Sequence, residues 1–285
     1  MVQMKNRWLI LLAMFMINLC VGSAYAWSVF QKPLINLFQW STSDTSLAFS
    51  ISLFVIPLAM IVGGRIQPLR GPKFLLFNGG IVFGSGIFAA GFSQSLLSLY
   101  LTYGVMSGFG IGFIYGTSIS NAVKWFPDQR GLAAGLVAAG FALGAVINAP
   151  IANMLVLKYD VLTTFQYLGI AYLAVTVLAA QFVVGPPAGY APPGWLPPVA
   201  GSAGAKLDKD WRDMLRDPLF YVLWLMYTIA CVSGLMIIGH ASPIGQEVIR
   251  LDAVTAAFAV SLMALANTGG RVAWGVSSDR IGQYP

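Results

Sequence analysis

Long apolar runs separated by short polar segments make up almost the whole chain. Runs of roughly 20 predominantly apolar residues, the length a helix needs to cross a bilayer core, fall at about 8–30, 45–64, 74–92, 95–121, 131–157, 163–184, 218–240 and 253–276. The runs are apolar on every face and do not alternate, so they predict helices and not membrane strands. The expected fold class is an all-α polytopic membrane protein. Segment 185–217 breaks the pattern. It opens with Gly185-Pro186-Pro187, passes through Pro192-Pro193 and Pro197-Pro198, and closes with Lys206, Asp208, Lys209, Asp210, Arg212, Asp213, Arg216 and Asp217. The first part reads as an extended linker and the second as a short solvated or interfacial helix. The chain is thereby divided into a six-helix bundle (1–184), a linker (185–217) and two helices of a second bundle (218–285). Six spans plus six is a common transporter plan, so the second bundle is read as incomplete, with four further spans expected after residue 285.

The polar segments orient the bundle. With a cytoplasmic N-terminus, one side collects Lys5, Arg7, Arg65, Arg70, Lys73, Lys124, Arg130, Lys206, Lys209, Arg212, Arg216 and Arg280, and the other only Lys32, Lys158 and Arg250. Twelve bases against three is a strong positive-inside bias. Composition agrees: 58% hydrophobic residues, 9% charged and a mean hydropathy of +0.76 leave too little charge to solvate a chain of 285 residues. The lipid bilayer is therefore the expected partner, in a cell inner (plasma) membrane. The net charge of +6 is spread over short interhelical segments and forms no basic face, so nucleic acid is not an expected partner. Lys5 and Arg7 ahead of an apolar stretch ending Ala24-Tyr25-Ala26 also resemble a cleavable leader, but the run continues through Phe30, which favours a retained first helix. Cys20 and Cys231 both lie in apolar runs and support neither a disulfide framework nor a thiolate metal site.

Two kinds of position stand out within the spans. Gly104, Gly108, Gly112 and Gly116 recur every four residues on one face of the fourth span, with Gly131, Gly135, Gly140 and Gly144 in the fifth and Gly80 and Gly84 in the third. Such seams let helix backbones approach closely, and also let helices slide or rock. Pro57 and Pro150 are kink candidates. The other kind is charge. Arg271 is the one ionisable residue inside a span, and a charge there is costly enough to be a functional hypothesis by default. Its position alone admits either snorkelling to the interface or a place facing a central cavity. Asn267 and Gly275, at i−4 and i+4, give its face a polar, partly open character that favours the cavity. A planar guanidinium in a cavity suits a small carboxylate. Asn18, Gly22 and Tyr25 share one face of the first span, and Tyr115 lies in the fourth; these are candidates to close around such a ligand, while Trp27 is expected to face lipid or the interface. No acidic residue lies in a span core, so no carboxylate relay for protons is visible. His240 stands alone, and no His, Cys or carboxylate cluster has metal-ligand spacing. No metal, cofactor or enzymatic activity is expected.

Two stretches carry a family resemblance. Gly275-Val276-Ser277-Ser278-Asp279-Arg280-Ile281-Gly282 resembles the G-x-x-x-D-R-x-G loop signature of the major facilitator superfamily. The equivalent loop after the second span keeps Gly64, Arg70 and Gly71, but has Pro68 and Leu69 where Asp and Arg are usual. These residues are the candidates for a gating or conformational motif. Tyr25-Ala26-Trp27-Ser28-Val29-Phe30 and Trp125-Phe126-Pro127-Asp128-Gln129-Arg130-Gly131-Leu132-Ala133-Ala134-Gly135 are similar to segments of the oxalate/formate antiporter family, relatives of the monocarboxylate transporters. The resemblance implies the major facilitator fold and an alternating-access carrier of small carboxylates such as oxalate, formate, pyruvate or lactate. It also implies that Arg271 binds the substrate carboxylate, that Tyr25 and Tyr115 line the cavity, and that a second basic residue on an eleventh span completes the site.

The function expected is secondary transport of small organic anions, by exchange or symport, by a monomer. Two other readings stay open at this stage: a transporter-derived sensor that contacts a partner through 185–217, and an exporter of amphipathic compounds that has no use for Arg271.

Overall fold

The structure is a computed structural model that describes residues 6–195, 211–243, 249–250 and 253–281. Its helices are α1 (Arg7–Val21), α2 (Trp27–Phe38), α3 (Thr42–Ala90), α4 (Leu96–Leu99), α5 (Ser107–Trp125), α6 (Arg130–Lys158), α7 (Val161–Ala180), α8 (Trp211–Arg216), α9 (Pro218–Pro243) and α10 (Ala253–Ile281). A 3₁₀ turn, Gly22–Ala26, joins α1 to α2, and a π-helical stretch, Tyr100–Met106, joins α4 to α5. Among the described residues five helical stretches are long and apolar enough to cross a membrane: Arg7–Phe38, Thr42–Ala90, Leu96–Trp125, Arg130–Lys158 and Val161–Ala180. Pro218–Val232, within α9, is a shorter apolar helix. The predicted second and third spans are both in α3, whose 49 residues would measure about 73 Å, over twice the thickness of a hydrocarbon core. Gly71 breaks it into two limbs. Its φ of 79° and ψ of 167° lie where a side chain is strained, and no neighbour crowds it, so conformation and not space requires glycine there.

The first span runs longer than predicted. Gln31 and Lys32 end the apolar run but not the helix, because Gln31 Nε2 donates to Ser46 Oγ at 2.5 Å and ties α2 to the start of α3; α2 then stops at Gln39, in the left-handed region. Pro57 and Pro150 lie inside continuous helices, and neither coincides with a break like that at Gly71. Caps follow the sequence: Ser41 Oγ accepts from Asp44 N, and Asp160 Oδ1 accepts from Thr163 N at 2.8 Å. The Thr163 hydroxyl and amide hold the Asp160 carboxyl below its ordinary range. That cap contributes fully above the usual carboxylate pKa and is lost only as pH falls through the lowered one.

Two compact units emerge: residues 1–192 with 264–285, and residues 193–263. In the second, Asp217 Oδ1 accepts from Leu219 N and Tyr221 Oη donates to the Leu215 carbonyl, so α8 leads directly into α9. Leu219, Val222, Leu223, Leu225 and Met226 of α9 are all exposed, as expected of a helix meant for lipid on most faces.

Within the first unit, helix backbones touch where the glycines lie. The ladder of α5 faces the first limb of α3: Gly108 meets Ser52 and Val55, Gly112 meets Ile56 and Ala59, and Gly116 meets Met60. Gly110, on the other side of α5, meets Phe83 of the second limb, and Gly80 and Gly84 meet Thr176 and Leu173 of α7. α6 divides its length between two partners. Gly140 and Gly144 pack on Phe15, Leu19 and Gly22, whereas Gly131 and Gly135 pack on the backbone of α10 at Gly275 and Arg271.

Candidate functional site

The 3₁₀ turn brings the first aromatic of the site into place. Tyr25, half-buried, meets the Phe141 ring of α6 edge-on at 5.0 Å, and Tyr115 of α5 meets the same ring at 5.0 Å and 60°. The two tyrosines singled out in the sequence thus converge on one phenylalanine that was not. Asn18 is fully buried; its Nδ2 donates to the Met14 carbonyl at 2.7 Å, and its Oδ1 has no partner among the described residues. Its Cβ faces Gly140, so Asn18 is packed into the contact between α1 and α6.

Trp27 corrects the expectation that it faces lipid. It is 5% exposed, with its ring 4.5 Å from Tyr103 and parallel to Phe49. The expectation counted 100° per residue through 22–26, where the backbone turns by about 120°; five such residues rotate the following side chains by about 100° more. Tyr103 belongs to the π-helical stretch, so irregular backbone from two helices meets at this pair.

On α10, Arg271 is half-buried and Asn267 exposed, and Arg271 Nε donates to Asn267 Oδ1 at 2.8 Å. That bond occupies the Nε edge and aims the guanidinium along the face the two residues share. Among the described residues no carboxylate pairs with it. The Arg271 carbonyl oxygen lies so close to Gly135 that a Cβ there would approach it to 2.6 Å. Gly135 is six residues, about 9 Å, from Phe141 along α6. One helix therefore carries both halves of the predicted site: Arg271 abuts its start and the tyrosines gather on its middle.

The loop signatures behave differently. Asp279 accepts from Gly131 N through Oδ1 and Leu132 N through Oδ2, both at 2.8 Å, placing a carboxylate on the N-terminus of α6 where free N–H groups and the helix dipole favour an anion. A side chain at Gly275 would overlap the Gly131 carbonyl. Arg280 is exposed, and Gly282 lies outside the described residues, as do 196–210 of the linker. After the second span, Gly64 has open space around it, and the Arg70 guanidinium lies 5.7 Å from the Phe74 ring.

Reasoning from sequence missed several residues here. Arg7 pairs with Asp128 through two bonds of 2.7 and 3.0 Å, and its guanidinium lies 4.5 Å from the Phe126 ring. Trp125 Nε1 and Asn121 Nδ2 both donate to the Val184 carbonyl, fixing the start of the linker. Asn148 and Tyr172 form a buried pair, Tyr172 Oη donating to Asn148 Oδ1 at 2.9 Å. A polar residue at 148, four after Gly144 in an otherwise apolar run, was the available signal.

The chain matches the family model of the Major Facilitator Superfamily over residues 7–285. It is 31% identical over 279 residues to an uncharacterized MFS-type transporter, YhjX, of Escherichia coli, covering 97% of this chain and 67% of that protein. It is 31% identical over 287 residues to the oxalate:formate antiporter of Oxalobacter formigenes, covering 98% and 65%. To monocarboxylate transporter 13 of Rattus norvegicus it is 26% identical over 280 residues, covering 96% and 61%. The protein belongs to the major facilitator superfamily and is a multi-pass helical membrane protein with that fold. The chain spans about two thirds of the length of these relatives, all three of which are named as transporters.

Proposed function

We propose that this protein carries small organic carboxylates, of the oxalate, formate, pyruvate or lactate kind, across a cell inner (plasma) membrane by alternating access. It does so as a monomer with a cytoplasmic N-terminus. The observation that carries the reading is the Arg271 guanidinium, braced through Nε by Asn267, which leaves its two Nη groups to meet a carboxylate. Tyr25 and Tyr115, paired on Phe141, supply the aromatic wall. Two relatives support the substrate class by name, one an oxalate:formate antiporter and one a monocarboxylate transporter. The six spans up to residue 184 form one half of the carrier, and 218–285 belong to the other.

The gate is the contact between Asp279 and α6. While the carboxylate holds the Gly131 and Leu132 amides, α10 and α6 stay joined at that end, and opening there requires the two bonds to be given up.

The test is flux of radiolabelled oxalate, formate and lactate into proteoliposomes holding the native polypeptide and its Arg271→Ala and Arg271→Lys variants. Losing one partner of a desolvated charge pair costs about 2 kcal/mol or more, so transport by Arg271→Ala should fall roughly thirtyfold or further at equal insertion. Lysine restores charge without the fork and should recover only part. Flux unchanged in Arg271→Ala would overturn the reading.

A further inference from the structure

We infer that Asn148 is a positioning residue for substrate binding, holding the 3₁₀ turn of the first span so that Tyr25 stays aimed at Phe141; this rests on the carboxylate-carrier reading above. Tightening from α to 3₁₀ geometry at Gly22 disturbs the pairing of the last α-helical carbonyls, and such groups buried in a membrane bundle need another donor. Asn148 Nδ2 provides it, donating to the Leu19 carbonyl across the α1–α6 contact at 2.9 Å and to the Gly144 carbonyl of its own helix at 2.7 Å. The amide has one workable orientation. Turned over, its oxygen would face the Leu19 and Gly144 carbonyls, neither of which can donate.

Tyr172 completes the clamp from α7. Its phenol donates to Asn148 Oδ1 at 2.9 Å. Asn148 and Tyr172 are 8% and 5% exposed, so water competes for none of these bonds. Below them the backbones touch: Gly144 and Gly22 are so close that a Cβ at Gly144 would come within 2.6 Å of the Gly22 Cα. Glycine contact sets how near the turn lies to α6, and the amide sets its rotation. Three residues after Gly22 the chain delivers Tyr25 to the Phe141 ring, seven residues before Asn148 on the same helix. Asn148 touches no part of the aromatic pair, so its influence passes through the backbone of 19–25.

The experiment uses the native polypeptide with Cys20→Ala and Cys231→Ala, reconstituted in liposomes, and has two readouts. One is the rate at which a methanethiosulfonate reagent modifies Tyr25→Cys, with Gln94→Cys as a distant control. The other is KM against turnover for oxalate in the protein that keeps Tyr25. Asn148→Leu matches the amide in size and removes all three bonds. It should change the modification rate at position 25 about tenfold, the equilibrium equivalent of a buried hydrogen bond, leave position 94 unchanged, and raise KM by a similar factor with turnover within about twofold. Tyr172→Phe, which removes one hydroxyl and keeps the packing, should shift both readouts the same way by less, and serves if Asn148→Leu does not insert. An unchanged rate at position 25, or equal changes at 25 and 94 with KM and turnover failing together, would overturn the inference. A native protein that moves no carboxylate defeats the transport reading, while the modification rates still decide whether Asn148 sets the turn.

Discussion

Arg7 and Asp128 lie 121 residues apart and form a forked ion pair at the start of α1, each side chain 20% exposed. The Asp128 carboxylate raises the Arg7 pKa, and Phe126 lies under the guanidinium while Trp8 meets the same ring edge-on at 4.8 Å. Because the folded pKa is above the ordinary guanidinium value, the stabilisation is fully present below that value and is lost only as pH rises through the folded one. The pair is insensitive to pH across the neutral range. Arg7→Ala strands a half-buried carboxylate and removes the stacking, so it should lower stability by about 1–3 kcal/mol; Arg7→Lys should fall between, keeping charge but losing the fork. Thermal unfolding of the purified protein in detergent measures this, and equal melting temperatures for all three would refute it. Nothing in the sequence pointed to the pair. Arg7 was legible as one of the bases that orient the bundle and Asp128 as part of a family motif, but which acid meets which base is set by tertiary packing. Arg271 was legible because an isolated charge inside an apolar run is conspicuous without any fold.

Among the helices, α6 is the one on which both parts of the site depend, since α1 packs on its middle and α10 on its beginning. The contact with α10 is polar as well as close, and it yields a prediction specific to that pair. Asp279→Asn keeps the shape but removes the charge that the α6 N-terminus favours, a loss of about 0.5–2 kcal/mol, so closure of that end should weaken by roughly two- to thirtyfold. Cysteine accessibility at Ala134→Cys, one turn inside the contact, should rise in Asp279→Asn with Arg280→Gln as the control; no rise would remove Asp279 from the gate. Helix faces were legible wherever the helix is continuous: the ladder of α5 lies where i, i+4 arithmetic put it. They were illegible after 22–26, because nothing in Gly22-Ser23-Ala24-Tyr25-Ala26 announces 3₁₀ geometry, and Trp27 was accordingly misplaced.

For the whole molecule, the end that gathers Arg7, the Gly71 turn, Asp128, the start of the linker at Val184 and Asp279 also carries Arg70, Lys73, Lys124 and Arg130, which adjoin those residues in the chain. Pro72 lies against Gly185, and Trp125 and Asn121 hold the Val184 carbonyl, so four interhelical segments meet there. Twelve bases in the segments assigned to this side against three on the other support the proposed cytoplasmic placing of it, because translocating short basic loops is opposed. Leu69, 82% exposed beside Gly71, and Gln94, between α3 and α4, lie at opposite ends of the second limb of α3 and report the two sides independently. In a background of Cys20→Ala and Cys231→Ala, a membrane-impermeant maleimide added to intact cells should modify Gln94→Cys and reach Leu69→Cys only after permeabilisation. The reverse pattern would invert the bundle and put the Asp279 contact outside, where it would gate the opposite opening. Neither result would alter the packing of α6 on α1 and α10, because close backbone contact and buried hydrogen bonds hold that packing whichever way the bundle faces.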